Sequence, residues 1–293
     1  MNTAIDLHMH SGYSNDGEFS PSELMEKCAA AGLKTVALTD HNTMRGTGEA
    51  RAVAQRLGLN FISGIEIDTA HGERNFHLLG YGLDENSADV AQIEKQIHNE
   101  ELAASAKYIE LSHKLGFYFD DAAVLAKAKN GVIVAEMIAE VVFADRRNDD
   151  NELLREFRDG GKFADNPLVS FFWEFMAKGK PAYVPMRFPD FAATVKMIHA
   201  NGGLAVLAHP GANIGHNVAV AEELIAAGID GIEVFSSYHD AATTEFYGKI
   251  AADHGLFMTI GSDFHGKAKP AVKFGKLTHP DPDSLSEKLK TIM

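Results

Sequence analysis

Ala4-Ile5-Asp6-Leu7-His8-Met9-His10, near the start of the 293-residue chain, decides how the rest is read. Polar and apolar residues alternate through it, the period-two pattern of a strand with one buried face. Ser20-Pro21-Ser22-Glu23 then supplies an N-cap serine, a proline at the first helical position and a glutamate placed to close a capping box, so a helix follows the strand. Residues 35–38 repeat the strand signal and end in Thr39-Asp40-His41, after which an Ala- and Arg-rich helical stretch runs to Leu57. Two successive strand–helix units predict an α/β architecture. Residues 60–68 and 75–83 are further strand-like runs, joined by the turn-forming His71-Gly72-Glu73-Arg74.

From about residue 85 to 180 the apolar period becomes helical, with amphipathic segments near 87–115, 120–129, 132–144 and 166–178. This block is expected to be a helical insertion, splitting a barrel-like part into residues 1–84 and 181–293. Residues 145–166 are charged and contain glycine, and are read as a loop able to move. Strand and helix then alternate again, with strands near 203–209, 231–236 and 257–265.

With 45% hydrophobic and 23% charged residues the chain can bury a substantial core. It contains neither a long apolar run nor a basic-then-apolar leader at its start, so a soluble cytoplasmic protein with no membrane partner is expected. The single cysteine, Cys28, excludes an intrachain disulfide. A net charge of −14 argues against long nucleic acid as a partner, because such binding is driven by Lys and Arg displacing counterions from phosphates.

Residues two apart on a strand share a face, so His8 and His10 project together and can grip one cation. Ser262-Asp263-Phe264-His265 sets a carboxylate and an imidazole with the same spacing. A lone histidine near a strand is more often structural. Here Asp16, His41, Glu66, His77 and His209 add further imidazoles and carboxylates at strand ends or in the loops beyond, where the functional groups of β/α folds gather. Imidazole and carboxylate without thiolate suit Mn, Fe or Zn, and this donor set alone does not choose among them.

These segments, Asp6-Leu7-His8-Met9-His10-Ser11, Thr39-Asp40-His41-Asn42-Thr43, Gly64-Ile65-Glu66, His77-Leu78-Leu79-Gly80-Tyr81, Leu207-Ala208-His209-Pro210-Gly211 and Gly261-Ser262-Asp263-Phe264-His265-Gly266, resemble in kind and order the polymerase and histidinol phosphatase (PHP) superfamily. The resemblance spans the chain and is closest to the stand-alone small-substrate phosphoesterases. It implies a distorted seven-stranded β/α barrel with a helical insertion after the fourth strand. It also implies three divalent ions: one on His8, His10, Glu66 and Asp263, a second on Glu66, His77 and His209, and a third on Asp16, His41 and His265. Asn15 interrupts the Ser-Asp-Gly pattern usual before the third site. The implied chemistry is hydrolysis of a phosphate ester by a metal-bound hydroxide as nucleophile. Favoured substrates are small: nucleoside 3',5'-bisphosphates, or ribose phosphates including cyclic 1,2-phosphates.

Further candidates are weighed beside these nine. His239, just past the sixth strand, is placed to protonate a leaving group or touch substrate, the alternative being a solvated loop histidine. Lys180, Arg187 and Arg45 are the candidate substrate-binding cations, since guanidinium and ammonium groups grip phosphate oxygens. Related enzymes carry an Arg-Pro-His-Ile-Ala type motif in the insertion, and Val132-Ile133-Val134-Ala135 stands at the equivalent place without that arginine. Asp6 and Asp40 are candidates to orient imidazoles, and Glu233 is a ligand on spacing that the resemblance does not include. The rival functions are a 5'-3' exonuclease on short oligonucleotides, hydrolysis of a C–N bond, and a noncatalytic barrel serving as an interaction module. Intact ligand positions argue against the last.

Overall fold

Seven strands, taken in chain order, form one sheet in a computed structural model that describes residues 4–273 and 275–277. They are β1 (Ile5–Asp6), β2 (Thr35–Leu38), β3 (Asn60–His71), β4 (Arg74–Tyr81), β5 (Leu204–Leu207), β6 (Gly231–Ser236) and β7 (Phe257–Gly261). Neighbours pair parallel except on either side of β4, which alone runs backwards. The sheet returns on itself where the first and last motifs meet: the Leu7 N–H donates to the Ile260 carbonyl at 2.9 Å, the Asp263 N–H to that of His8 at 2.8 Å, and the His10 N–H to that of Phe264 at 2.9 Å. The expected seven-stranded β/α barrel is thus present and nearly closed. The first strand is far shorter than the alternating pattern, because beyond Asp6 the chain makes isolated bonds to both neighbours in place of a regular ladder.

The first compact unit comprises the described residues of Met1–Glu94, Phe188–Gly266 and Val272–Met293. Its helix α1 (Pro21–Ala30) starts with the capping box expected: Ser20 Oγ accepts from the Glu23 N–H at 3.2 Å and Glu23 Oε2 from the Ser20 N–H at 2.9 Å. Leu24, Met25 and Cys28 of α1, with Ala50 and Ala54 of α2 (Thr47–Leu57), are fully buried in one cluster with Val36 and Leu38 of β2. Each large apolar side chain so buried contributes about 1.5–3 kcal/mol. A second cluster joins Ala37, Ile62, Leu79, Tyr81, Val206 and Ile260 from five strands, and the Tyr81 hydroxyl donates to the Leu7 carbonyl at 2.9 Å. Ile62 shares a strand face with Glu66, as Leu79 and Tyr81 do with His77, so this cluster underlies the polar groups described below.

The second unit comprises Lys95–Arg187 with Lys267–Ala271. Its boundary falls inside the 27-residue helix α3 (Ala88–Lys114), ten residues beyond where the helical period begins to be read, and no turn residue marks it. Helices α4 (Asp121–Leu125), α5 (Ala135–Ala144) and α6 (Pro167–Phe171) follow, and α6 runs into a π-helical turn at Phe172–Met176. The core is aromatic: the Phe117 and Phe171 rings lie 5.0 and 4.9 Å from that of Phe175. Residues 145–166, read as a movable loop, are tied down instead. They contain 3-10 turns at Arg146–Asn148 and Glu152–Phe157, bury Leu154, and anchor through the Asn148 amide, which donates to the Tyr118 and Val142 carbonyls at 2.7 and 2.8 Å. Charge on the exposed side hid that anchor.

In the first unit, helices α7 (Phe191–Ala200), α8 (Pro210–Asn213), α9 (Val218–Ile225) and α10 (Ala241–Asp253) alternate with β5, β6 and β7. Among the described residues no helix is long and apolar enough to cross a membrane.

Candidate metal centre

Glu66 lies on β3 and is wholly buried, with five imidazoles around its carboxylate. Oε2 lies 3.1 Å from His8 Nε2, 3.1 Å from His10 Nε2 and 3.2 Å from His41 Nδ1. Oε1 lies 2.9 Å from His77 Nδ1 and 3.0 Å from His209 Nε2. The reversed direction of β4 is what brings His77 here, since its register sets His77 opposite Asp68, near the end of β3 on which Glu66 lies.

Asp263 Oδ1 extends the array, 3.0 Å from His10 Nε2, 3.4 Å from His8 Nε2 and 3.4 Å from His265 Nδ1. His265 Nε2 lies 3.2 Å from Asp16 Oδ2, and its ring stacks on that of His10 with centroids 3.9 Å apart. All nine side chains singled out in the sequence are therefore contiguous, although they span residues 8 to 265. Asp16 joins them despite the inserted Asn15.

A cluster of this composition can hold cations. Burial disfavours the charge of Glu66, yet His8, His77 and His41 hold its carboxyl well below the usual range. Burial likewise opposes the charged form of His8, and Glu66, Glu233 and Asp263 outweigh it, raising its pKa well above the ordinary value. For His77 burial is again outweighed, by Glu66 and Asp68, and the pKa rises. At His41 burial prevails and the pKa falls. His8 Nε2, His10 Nε2, His41 Nδ1 and Glu66 Oε2 are all buried without a well-formed hydrogen bond, although they converge at about 3 Å. Buried polar atoms left so are costly unless an ion satisfies them.

His8, His10, Glu66 and Asp263 each present one ligand atom within 4.8 Å of the others, as do the triads His10, His41 and His265, and His41, Glu66 and His77. The quartet coincides with the first ion set implied by the family. Each triad shares only part of the remaining two. The donor set of imidazole and carboxylate fits divalent ions. Strain accompanies the arrangement: His209 and Asp263 have φ of 25° and 58°, in the left-handed region that side chains other than Gly seldom enter.

Residues behind the imidazoles hold their orientation. Asp40 accepts from the Ser11 N–H at 2.6 Å and from the Ser14 hydroxyl at 2.9 Å, and Ser14 Oγ faces His10 Nδ1 at 3.0 Å and accepts the His41 N–H at 2.9 Å. Asp6 Oδ1 accepts the Ser262 N–H at 2.9 Å, linking the two end motifs. Asp68, passed over in the sequence, lies 3.1 Å from His77 Nε2 and accepts from the Asn42 amide at 2.8 Å. Its signal was the Glu66-Ile67-Asp68 alternation, the same spacing that singled out His8 and His10. Tyr238 was also missed: its hydroxyl donates to Asp263 Oδ2 and its ring meets His209 edge-on.

The other candidates are placed differently. His239 Nδ1 faces the Val234 carbonyl at 2.8 Å and Nε2 accepts the Gly211 N–H at 2.9 Å, so both ring nitrogens are used by the backbone. In this arrangement it braces α8 against β6. Arg45 is paired with Glu94. In the second unit Lys180 lies 3.4 Å from Glu174, while the exposed Arg187 offers its backbone N–H to Glu100 at 3.1 Å.

Residues 6–158 match the model of the PHP domain family. A 3',5'-nucleoside bisphosphate phosphatase from Chromobacterium violaceum is 34% identical, over 89% of this chain and 87% of its own length. The chain belongs to the PHP family. Among its relatives, a 5'-3' exoribonuclease from Haemophilus influenzae is 27% identical over 90% of this PHP chain and 91% of its own length. A phosphoribosyl 1,2-cyclic phosphate 1,2-diphosphodiesterase from Eggerthella lenta is 28% identical over 94% and 96%. A solved structure from Bifidobacterium adolescentis, provisionally named a metal-dependent phosphoesterase, superposes with a TM-score of 0.77 at 28% identity, covering 98% of this chain and 96% of that one. The enzyme class follows: this PHP protein is a metal-dependent phosphoester hydrolase.

Proposed function

We propose that this PHP enzyme hydrolyses small phosphorylated metabolites in the cytoplasm, with nucleoside 3',5'-bisphosphates and ribose phosphates, cyclic 1,2-phosphates included, as its substrate class. The observation that carries the reading is the carboxylate of Glu66, whose two oxygens face two separate groups of imidazoles. That is the donor pattern of a bridging ligand. His8, His10 and Asp263 would complete one ion on the Oε2 side, His77 and His209 a second on the Oε1 side, and Asp16, His41 and His265 a third, of Mn, Fe or Zn type. Such ions supply the positive charge that neutralises phosphoryl oxygens, activates water and stabilises the departing oxygen. The chain itself supplies position: Asp40 through Ser14, Asp6 and Asp68 fix the rings around the pocket.

The test is a phosphate-release screen of nucleotides, sugar phosphates and cyclic phosphates with Mn-loaded protein, repeated with His8→Ala. Turnover of a bisphosphate or cyclic phosphate, lost in the variant together with bound metal, is the expected result. Activity and metal content both unchanged in His8→Ala would overturn the reading. The exoribonuclease relative favours a second reading, action on short oligonucleotides. The net charge of −14 weighs against a long polyanion, and titrating oligonucleotides at varied salt separates the two.

A further inference from the structure

Glu233, on β6, is wholly buried and uses both carboxylate oxygens on residues of the metal centre. Oε1 lies 2.9 Å from His8 Nδ1, and Oε2 accepts the backbone N–H of His209 at 2.9 Å. A carboxylate offers only acceptors, so the His8 nitrogen facing it carries the hydrogen. That leaves His8 Nε2, which points at Glu66 Oε2 from 3.1 Å, as the atom able to coordinate. On the other side the same carboxylate holds the backbone of His209 in its left-handed conformation, φ 25°, from which the imidazole reaches Glu66 Oε1 at 3.0 Å. Gly261 makes room for this, because a Cβ there would fall 2.2 Å from Glu233 Oε1 and 2.2 Å from His8 Cβ.

We propose that Glu233 is a positioning residue that binds no ion itself and ties His8 and His209, on opposite sides of Glu66, into one geometry. It does so in two ways, by selecting the ring nitrogen that His8 presents and by fixing the backbone from which His209 projects. Loss of Glu233 therefore disturbs both sides of the centre at once. The proposal rests on the metal-dependent reading above, and metal binding is measured apart from turnover so that failure of either can be told from failure of the other.

Chemistry, not shape, is the discriminator between two variants. Glu233→Gln keeps the size of the side chain and has one acceptor and one donor arm. The His209 N–H, a fixed donor, takes the amide oxygen, which turns the amide NH₂ toward His8 Nδ1. That nitrogen must then accept, and the hydrogen moves to Nε2, the coordinating face. Glu233→Asp is shorter yet keeps two acceptors. Protein stripped by chelator is titrated with Mn²⁺ by calorimetry, with thermal unfolding of each metal-free variant as control. The expected result is a loss of about 10–100-fold in Mn²⁺ affinity for Glu233→Gln, the range for residues that orient ligands, and a smaller loss for Glu233→Asp. Each metal-free variant stays folded at the temperature of the titration. Affinity within twofold of the parent in Glu233→Gln overturns the proposal, and so does a larger loss in Glu233→Asp than in Glu233→Gln. Should the Gln variant fail to fold, an Asp variant that folds and has lost 100-fold or more in affinity overturns it equally.

Discussion

Substituting Gly261 by alanine places a methyl group where the two ends of the chain's metal-binding sequence close on each other. The added carbon would lie 2.2 Å from Glu233 Oε1, 2.2 Å from His8 Cβ and 3.1 Å from the His8 backbone nitrogen. Carbon contacts are comfortable at about 3.5–4.0 Å, so these walls must retreat by more than about 1 Å. Neither retreats easily: Glu233 is held by His8 and the His209 N–H, and the His8 carbonyl accepts from the Asp263 N–H at 2.8 Å. Overpacking of a well-filled interior costs about 1–3 kcal/mol. Losing the charged hydrogen bond between Glu233 and His8 adds about 1.5–3 kcal/mol. The sum, about 2.5–6 kcal/mol, is a large part of the roughly 5–15 kcal/mol that holds a native protein together. At about 2–4 °C per kcal/mol, thermal unfolding of the metal-free protein should drop by on the order of 10 °C. Scanning calorimetry reads the shift, and Mn²⁺ titration of the folded fraction reads an accompanying loss of affinity. Unfolding within 2 °C of the parent, with Mn²⁺ affinity retained, would refute the packing described around Gly261.

Incubation with a chelator should abolish phosphate release, and dialysis followed by Mn²⁺ should restore it, which a colorimetric phosphate assay checks. Because Glu66 raises the pKa of His8 and His77, against the opposing effect of burial, both keep a proton at neutral pH in the metal-free protein. Loading with Mn²⁺ at pH 7 must therefore expel protons, visible with an indicator dye in weak buffer, and Mn²⁺ affinity should rise with pH. His239→Asn removes the brace on α8 without removing an acid, so the acidic and basic limbs of the pH–rate profile should stay where they are. Loss of a general acid would instead cost about 10²–10⁴-fold and erase a limb. Phe171→Ala empties the middle of the second unit's aromatic core and should destabilise that unit by about 3–5 kcal/mol in urea unfolding.

The clustered imidazole and carboxylate side chains were legible because their chemistry is conspicuous in a strand: His8 and His10, or Asp263 and His265, repeat at the spacing that puts two groups on one face. β2 and β6 were delimited to the residue, since both are short apolar runs bounded by polar or turn residues. What escaped depends on contacts between distant segments. Asp68 shares the alternation of Glu66 but matters only because β4 runs backwards and delivers His77 to it. The fate of His239 is set by a backbone N–H at Gly211 and a carbonyl at Val234, neither of which leaves a mark in residue types. Residues 145–166 look like a solvated loop by charge, and the buried amide of Asn148 that pins them is one polar residue among many.

The β3–β4 hairpin acts as a ruler for the centre. His71 and Arg74 pair across the two residues Gly72 and Glu73, and Gly72 adopts φ 61° to make the turn. Counting from that tip assigns His77 its place among the imidazoles. Since side chains alternate sides along a strand, a slip of a single position would aim His77 out of the barrel and admit Phe76 or Leu78 in its stead. Surface turns ordinarily absorb insertions and deletions with little consequence. In this one, the length of an exposed loop bearing no reactive group of its own is as constrained as the identity of a ligand, and variation in lineage or laboratory should be found in its side chains rather than in its residue count.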